Sequence, residues 1–143
     1  MTVPMAQTIV VAAVALLDDA GRMLTVRKRG TTRFMNPGGK PEPGETPVQA
    51  AVREIEEELG VRLDPAGVHE LGVWSAAAAN EPGATVRAYA FRALLPAGAT
   101  PQPRAEIAEL RWATRAEALA APQEFAPLLV ERFVPVLGDA PWG

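Results

Sequence analysis

The sequence contains no cysteine. That excludes a disulfide framework, a zinc–thiolate site and a thiol nucleophile. Histidine occurs once, at His69, with no second histidine or cysteine near it to share a metal. A surface or strand-end role is the expectation for it. Lysine occurs only at Lys28 and Lys40, and arginine supplies the other 12 of the 14 basic residues. Arginine suits bidentate phosphate contacts, but a codon bias would give the same skew. The net charge of −3 leaves no basic footprint for a nucleic-acid polymer. No apolar run approaches the ~20 residues that span a bilayer, so no membrane partner is expected. Thr8–Leu17 is apolar, yet no charge precedes it and no processing site is evident, unlike a signal peptide. A cytoplasmic protein is the expectation.

Hydrophobic residues make up 48% of the chain, but 27 of them are alanine, so bulky core side chains are fewer than that share suggests. At 143 residues, one domain over 1–143 with a single core is expected.

The most informative stretch is 39–61. Thr46 is placed as an N-cap, Pro47 suits the first helical position, and Gln49 completes a capping box. Gly60 stands where a helix stop belongs. Val48, Ala51, Val52, Ile55 and Leu59 recur at helical spacing as one apolar stripe. Arg53, Glu54, Glu57 and Glu58 fall on a different face, and Glu56 points to solvent. Like charges at this spacing cost a helix about 0.2–0.5 kcal/mol per pair. A hard divalent cation, Mg²⁺ or Mn²⁺, takes oxygen ligands and would remove that repulsion. Taken alone, the cluster reads first as a solvated acidic face with Arg53 as a partial counter-charge.

The surroundings change the balance. The stretch fits Gly-x5-Glu-x7-Arg-Glu-U-x-Glu-Glu-x-Gly-U, with U apolar, at Gly39, Glu45, Arg53, Glu54, Ile55, Glu57, Glu58, Gly60 and Val61. This resembles the Nudix box of the Nudix (MutT-like) hydrolases. The resemblance implies an α+β fold, the Nudix α/β/α sandwich with a mixed central β-sheet. It implies cleavage of a diphosphate linkage in a nucleoside diphosphate derivative. It implies metal ligation by Gly39 through its carbonyl and by Glu54, Glu57 and Glu58. Arg53 would hold Glu54 in place, and Glu45 would be a partner of Arg53 or a further ligand. The general base is open: Glu54 or Glu57 in the box, or Glu106, Glu109 or, less well, Glu81 outside it. Each of these last three reads as well as a solvated charge. Lys40 is placed to contact phosphate or to be a solvated loop lysine.

Along the rest of the chain, Thr8–Leu17 and 22–29 read as paired strands joined by a turn at 18–21. Phe34 in the following connection reads as core rather than cleft edge. Asn36-Pro37-Gly38-Gly39 reads as an irregular loop that lets backbone approach a ligand. Val68–Ala79 and Ala84–Leu95 read as strands around a turn at 80–83. The small side chains of 76–79 leave that strand end against a neighbour or open to a ligand. Pro96–Arg104 reads as a loop. Glu106–Trp112 resembles the segment preceding the last strand in many Nudix proteins. Thr114 caps a short helix over 115–120. A final helix is expected over 123–134, with Phe125, Leu128, Leu129, Arg132 and Phe133 covering the sheet and Pro127 in its first turn. Residues 1–6 read as a lead-in and 135–143 as a loose tail in which Trp142 could dock.

Several activities of the family fit. A nucleoside triphosphate, oxidised forms included, cleaved to monophosphate and pyrophosphate is the leading expectation. The ADP-ribose branch carries a proline about fifteen residues beyond the box, where this chain has Ser75-Ala76-Ala77-Ala78. Flanking motifs for NADH and coenzyme A are missing, and Tyr89, the lone tyrosine, lies away from where dinucleoside polyphosphate enzymes have one. The isopentenyl diphosphate isomerase branch uses a cysteine. A non-catalytic nucleotide sensor would be expected to have an eroded box. Dimers are common in the family, and no feature here decides the oligomeric state.

Overall fold

A computed structural model describes residues 7–137. The lead-in, Trp142 and most of the expected tail lie outside the described residues. The elements are β1 (Thr8–Leu17), β2 (Met23–Lys28), β3 (Gly38–Gly39), α1 (Pro47–Leu59), β4 (His69–Ala77), β5 (Thr85–Leu94), β6 (Ile107–Ala113), α2 (Arg115–Ala120) and α3 (Val134–Leu137). A six-stranded mixed sheet runs β4-β5-β1-β2-β6, with β3 paired to β1 off that path. β1 and β5 are parallel over their full length, from Thr8–Thr85 to Leu17–Leu94. The other pairs are antiparallel.

Both faces of the sheet are covered, as side-chain alternation along a strand requires. Ala12, Val14 and Leu16 of β1 face α1, meeting Ala51, Ile55 and Leu59. Ala13, Ala15 and Leu17 face the other way, towards Phe125, Leu129 and Phe133. Phe34 is buried in that second layer, as expected. Fully buried alanines at 12, 15, 88 and 90 on the central strands let both layers approach closely. This is the α/β/α sandwich expected above. Among the described residues no helix is long and apolar enough to cross a membrane.

β1 pairs with β2 in the ladder at Leu17–Met23. Beyond that pair the segment 35–39 enters between them. Met35 bridges Val26 on β2, and Gly39 and Gly38 pair with Ala12 and Ala13 on β1. The glycine pair is therefore not the irregular loop expected from sequence. It is a two-residue strand, admitted because neither residue carries a Cβ: one at Gly38 would collide with Ala12 O of β1 and one at Gly39 with the Glu54 carboxyl on α1.

α1 has the ends its sequence encodes. The Thr46 hydroxyl accepts from Gln49 N, and the Gln49 side chain accepts from Thr46 N. Gly60 closes the helix in the left-handed conformation, at φ 68°. Thr46→Ala should cost about 1 kcal/mol. The expected readout is a lower urea midpoint with an unchanged slope.

The last third departs from expectation. Glu106–Trp112 does not precede the final strand; residues 107–113 are that strand, hydrogen-bonded to β2. No helix begins at 123. Residues 122–124 form a single 3-10 turn, and Phe125 pairs in extended form with Phe34. Pro127 explains this, because a proline disfavours helical geometry in the residue before it. Helix starts at Pro127, passes through a wider π turn at Leu129–Phe133, and continues in α3 to Leu137, three residues into the expected tail. Arg132 is exposed, but its Nε donates to Ser75 O of β4 at 3.1 Å, so it reaches the sheet edge through a polar contact rather than through burial.

Candidate active site

Arg53 is the hub of the acidic helix face. Its guanidinium has five N–H donors, and all five are used. Nε and Nη2 grip Glu45 at 2.8 and 2.9 Å. Nη2 also donates to Lys40 O at 3.1 Å. Nη1 donates to Glu54 at 2.9 Å and Glu57 at 3.2 Å. The Arg53 contact holds the Glu45 carboxyl down to about 2. These bonds likewise raise the Arg53 pKa. Glu45 thus serves Arg53, and Arg53 sets the position of Glu54. Lysine has three donors and no planar fork, so it cannot reproduce this.

Glu54 packs its carboxyl against Gly39. A Cβ built at Gly39 would fall 2.4 Å from Glu54 Cδ. Only glycine lets the Gly39 backbone and this carboxylate come so close. Burial raises the Glu54 pKa, against the opposing pull of Arg53.

Glu58 departs from the expected exposed face. It is 1% exposed. One carboxylate oxygen accepts from Gly38 N at 2.9 Å, and Oε2 has no hydrogen-bond partner among the described residues. Burial pushes its pKa up to about 8. Such a carboxyl binds its proton more tightly in the fold, so stability falls as pH rises from about 4.5 towards about 8. With a chelator present, Glu58→Gln should be more stable than wild type at pH 8 by about 1 kcal/mol, and the gain should shrink towards pH 4.5. Urea midpoints at the two pH values check this; a less stable variant at pH 8 would contradict it.

A cleft of about 430 Å³ opens beside these groups. Gly38, Gly39, Lys40 and Glu54 line one side, with Lys28 and Glu106 near them. Lys28 Nζ lies 3.7 Å from Glu106. Ala77, Ala79 and Glu81 come in from the β4–β5 end, so the small-residue strand end does open into a cleft. Glu57 does not line it. Glu57 is about half exposed and borders a separate shallow depression with Arg53 and Glu56. Glu109 is absent from the cleft as well: it lies opposite Arg27 in the β2–β6 ladder and pairs with it at 3.1 Å. His69 is exposed at the start of β4, as expected, and borders a second hollow of about 390 Å³ at the other end of β1. None of the acidic box residues reaches that hollow.

Sequence reasoning passed over two cleft residues, Lys28 and Asn36. The signal for Lys28 was available: in an arginine-rich chain both lysines line one cleft. Asn36 stands in a loop-like run of sequence, and its burial depends on Val14 and Met23, distant in sequence.

The donors fit a hard divalent cation. All are oxygens, one of them the orphaned buried Glu58 Oε2, and the Glu54 carboxylate is pressed onto a glycine backbone. They are not a ready-made cage. Among the described residues no three acidic or histidine side chains gather closely enough to hold an ion as they stand. Arg53 occupies oxygens of Glu54 and Glu57, and Glu58 is turned to Gly38.

The family model described as NUDIX domain matches residues 7–133. This chain belongs to the Nudix family. It is 36% identical over 131 residues to an isopentenyl-diphosphate Delta-isomerase of Nocardia farcinica, covering 83% of this chain and 73% of that one. An RNA pyrophosphohydrolase of Halorhodospira halophila is 41% identical over 59 residues, 41% of this chain and 32% of that one. Among solved structures, a MutT protein from Methanosarcina mazei superposes with a TM-score of 0.75, covering 94% of this Nudix chain and 96% of that one at 18% identity. That likeness is one of fold.

Proposed function

We propose that this Nudix chain hydrolyses the diphosphate linkage of a nucleoside diphosphate derivative. The leading substrate is a nucleoside triphosphate, oxidised forms included, cleaved to the monophosphate and pyrophosphate. The observation that carries this is the Glu54 carboxylate, fixed between Gly39 and Arg53 on the wall of a cleft that both lysines line.

A diphosphate is dense in negative charge. Lys28 and Lys40 can face it directly, whereas carboxylates can face it only across a cation. Glu54, Glu57 and Glu58 and the Gly39 carbonyl would hold Mg²⁺ or Mn²⁺. The bound ion would supply charge neutralisation at phosphate oxygens and a water of lowered pKa. Arg53 keeps Glu54 from turning away and offsets the repulsion between Glu54 and Glu57. A water adds to phosphorus, the bridging P–O bond breaks, and the water's proton passes to a carboxylate. Glu54, Glu57 and Glu106 are candidates for that base; Glu109, held by Arg27 away from the cleft, is not.

The relatives named as isomerases of isopentenyl diphosphate bring that activity into consideration. That branch's cysteine chemistry has no counterpart in a chain without cysteine. A nucleotide sensor is the remaining rival, and the complete set of box residues speaks against it. A panel of nucleoside triphosphates, ADP-ribose and nucleotide sugars, assayed for phosphate and pyrophosphate release with Mg²⁺, tests the reading. Release from at least one nucleotide, abolished by chelator, is expected. Tight binding with no release would make the chain a sensor.

A further inference from the structure

The cleft beside Glu54 draws on both layers of the fold. Gly39, Lys40 and Glu54 form its charged end on the side of α1, with Lys28 and Glu106 near them. Its other wall belongs to the opposite layer. Val11 of β1 and Val86 of β5 pack against the buried cluster that contains Leu128. Ile9 stands beside Val86 in the parallel ladder, and it lies two residues before Val11, on the same face of the sheet. All four line the cleft, and Ile9, Val11 and Val86 keep part of their surface accessible.

This wall is aliphatic. Among the described lining residues there is no aromatic ring on which a base could stack. Away from the charged end, the described lining has two polar side chains, Asn36 and Glu81. Asn36 commits its amide nitrogen to Val14 O and Met23 Sδ, and its oxygen is buried. Glu81 sits exposed on the β4–β5 turn. Ribose hydroxyls or the edge of a base laid on this wall would lose water and meet few partners. A hydrocarbon incurs no such cost, and it gains by leaving water.

We propose that this cleft also takes an alkyl diphosphate, with the diphosphate at Glu54, Lys28 and Lys40 and the hydrocarbon chain along Ile9, Val11, Val86 and Leu128. Water adds to the terminal phosphorus, the bridging P–O bond breaks, and the water's proton passes to a cleft carboxylate. The products are the alkyl monophosphate and phosphate. This activity rests on the reading of the cleft as a hydrolytic diphosphate site and adds a substrate class to it.

The test uses ethyl, butyl and hexyl diphosphates, with a panel of nucleoside triphosphates as the control for the machinery. Phosphate and pyrophosphate release are followed with Mg²⁺, and Kd is measured by calorimetry. KM and Kd should fall about two- to fourfold for each added methylene, with kcat little changed. Val86→Asn sets an amide of similar volume into the wall. It should shrink the advantage of hexyl over ethyl diphosphate by about fivefold or more. Should Val86→Asn not fold, Ile9→Asn makes the same change on the neighbouring strand. A KM that ignores chain length overturns the proposal, and so does an unchanged hexyl-to-ethyl ratio in the folded variant. Cleavage of a nucleotide but of no alkyl diphosphate overturns it too, and leaves the nucleotide reading standing. Cleavage of the alkyl series alone upholds it and removes the nucleotide reading. If neither class is cleaved, both fail.

Discussion

Glu54→Gln should lower Mg²⁺-dependent kcat/KM by about 10²- to 10⁴-fold while the protein stays folded. Glutamine keeps the volume of Glu54 and an oxygen for Arg53 Nη1, so the 2.9 Å contact has a successor. It removes the negative charge, which a cation needs and which no neighbour can replace. Because burial already disfavours the ionised Glu54, chelated protein should show no loss of thermal stability. Glu57→Gln should also lose turnover by orders of magnitude. Glu57 is about half exposed, so its loss should change stability by no more than about 0.5 kcal/mol. The two variants differ in one respect. Glu54 lines the cleft and Glu57 does not, so Glu57 must swing off Arg53 to take part. A wild-type rate in Glu57→Gln with a dead Glu54→Gln would remove Glu57 from the machinery and leave Glu54, Glu58 and Gly39 as the ligand set. Wild-type rates in both would end the hydrolase assignment of this cleft.

Which parts were legible in sequence follows from the range of the interactions. The helix 47–59 was legible to the residue because its determinants are local: Thr46, Pro47, Gln49 and Gly60 each act within four positions. The partnership of Arg53 with Glu45 and Glu54 was legible through resemblance, and its geometry agrees. The burial of Glu58 was not. Helical spacing sets it beside Glu54, but its surroundings are made by Gly38, twenty residues earlier, and by the chain at Arg104, whose N–H donates to Glu58 O. The separation of Glu106 from Glu109 was equally hidden. It depends on Glu109 standing opposite Arg27, in a ladder whose register shifts between Arg27 and Lys28. A bulge of this kind re-aims side chains and leaves no local mark in sequence. Pro127 shows the reverse: its effect on Ala126 is a local rule, and it outweighs the long helical apolar pattern around it.

The adjacent glycines give the sharpest division between fold and function. Gly38→Ala should unfold the protein or destabilise it by more than about 4 kcal/mol. Its backbone, at φ +149°, is one that side-chain-bearing residues rarely adopt, and a Cβ there would lie 1.9 Å from Ala12 O. That oxygen belongs to β1, the strand paired with β5 along its whole length, so it cannot retreat without disturbing the sheet. Gly39→Ala should fold. The atoms nearest its Cβ would be those of the Glu54 carboxyl, the far end of a flexible side chain that can swing aside. Turnover should nevertheless fall about 10²-fold, because a displacement of about 1 Å at a reacting centre costs that much. Placing Gly39→Ala in a Glu54→Gln background separates the causes. If the glycine acts through the position of the Glu54 carboxylate, the second change should add little to the first, since residues acting as a unit are not additive. Full multiplication of the two losses would mean that Gly39 serves the substrate or the cation by its own backbone. A fully active Gly39→Ala would mean that the close approach of backbone and carboxylate has no part in the chemistry.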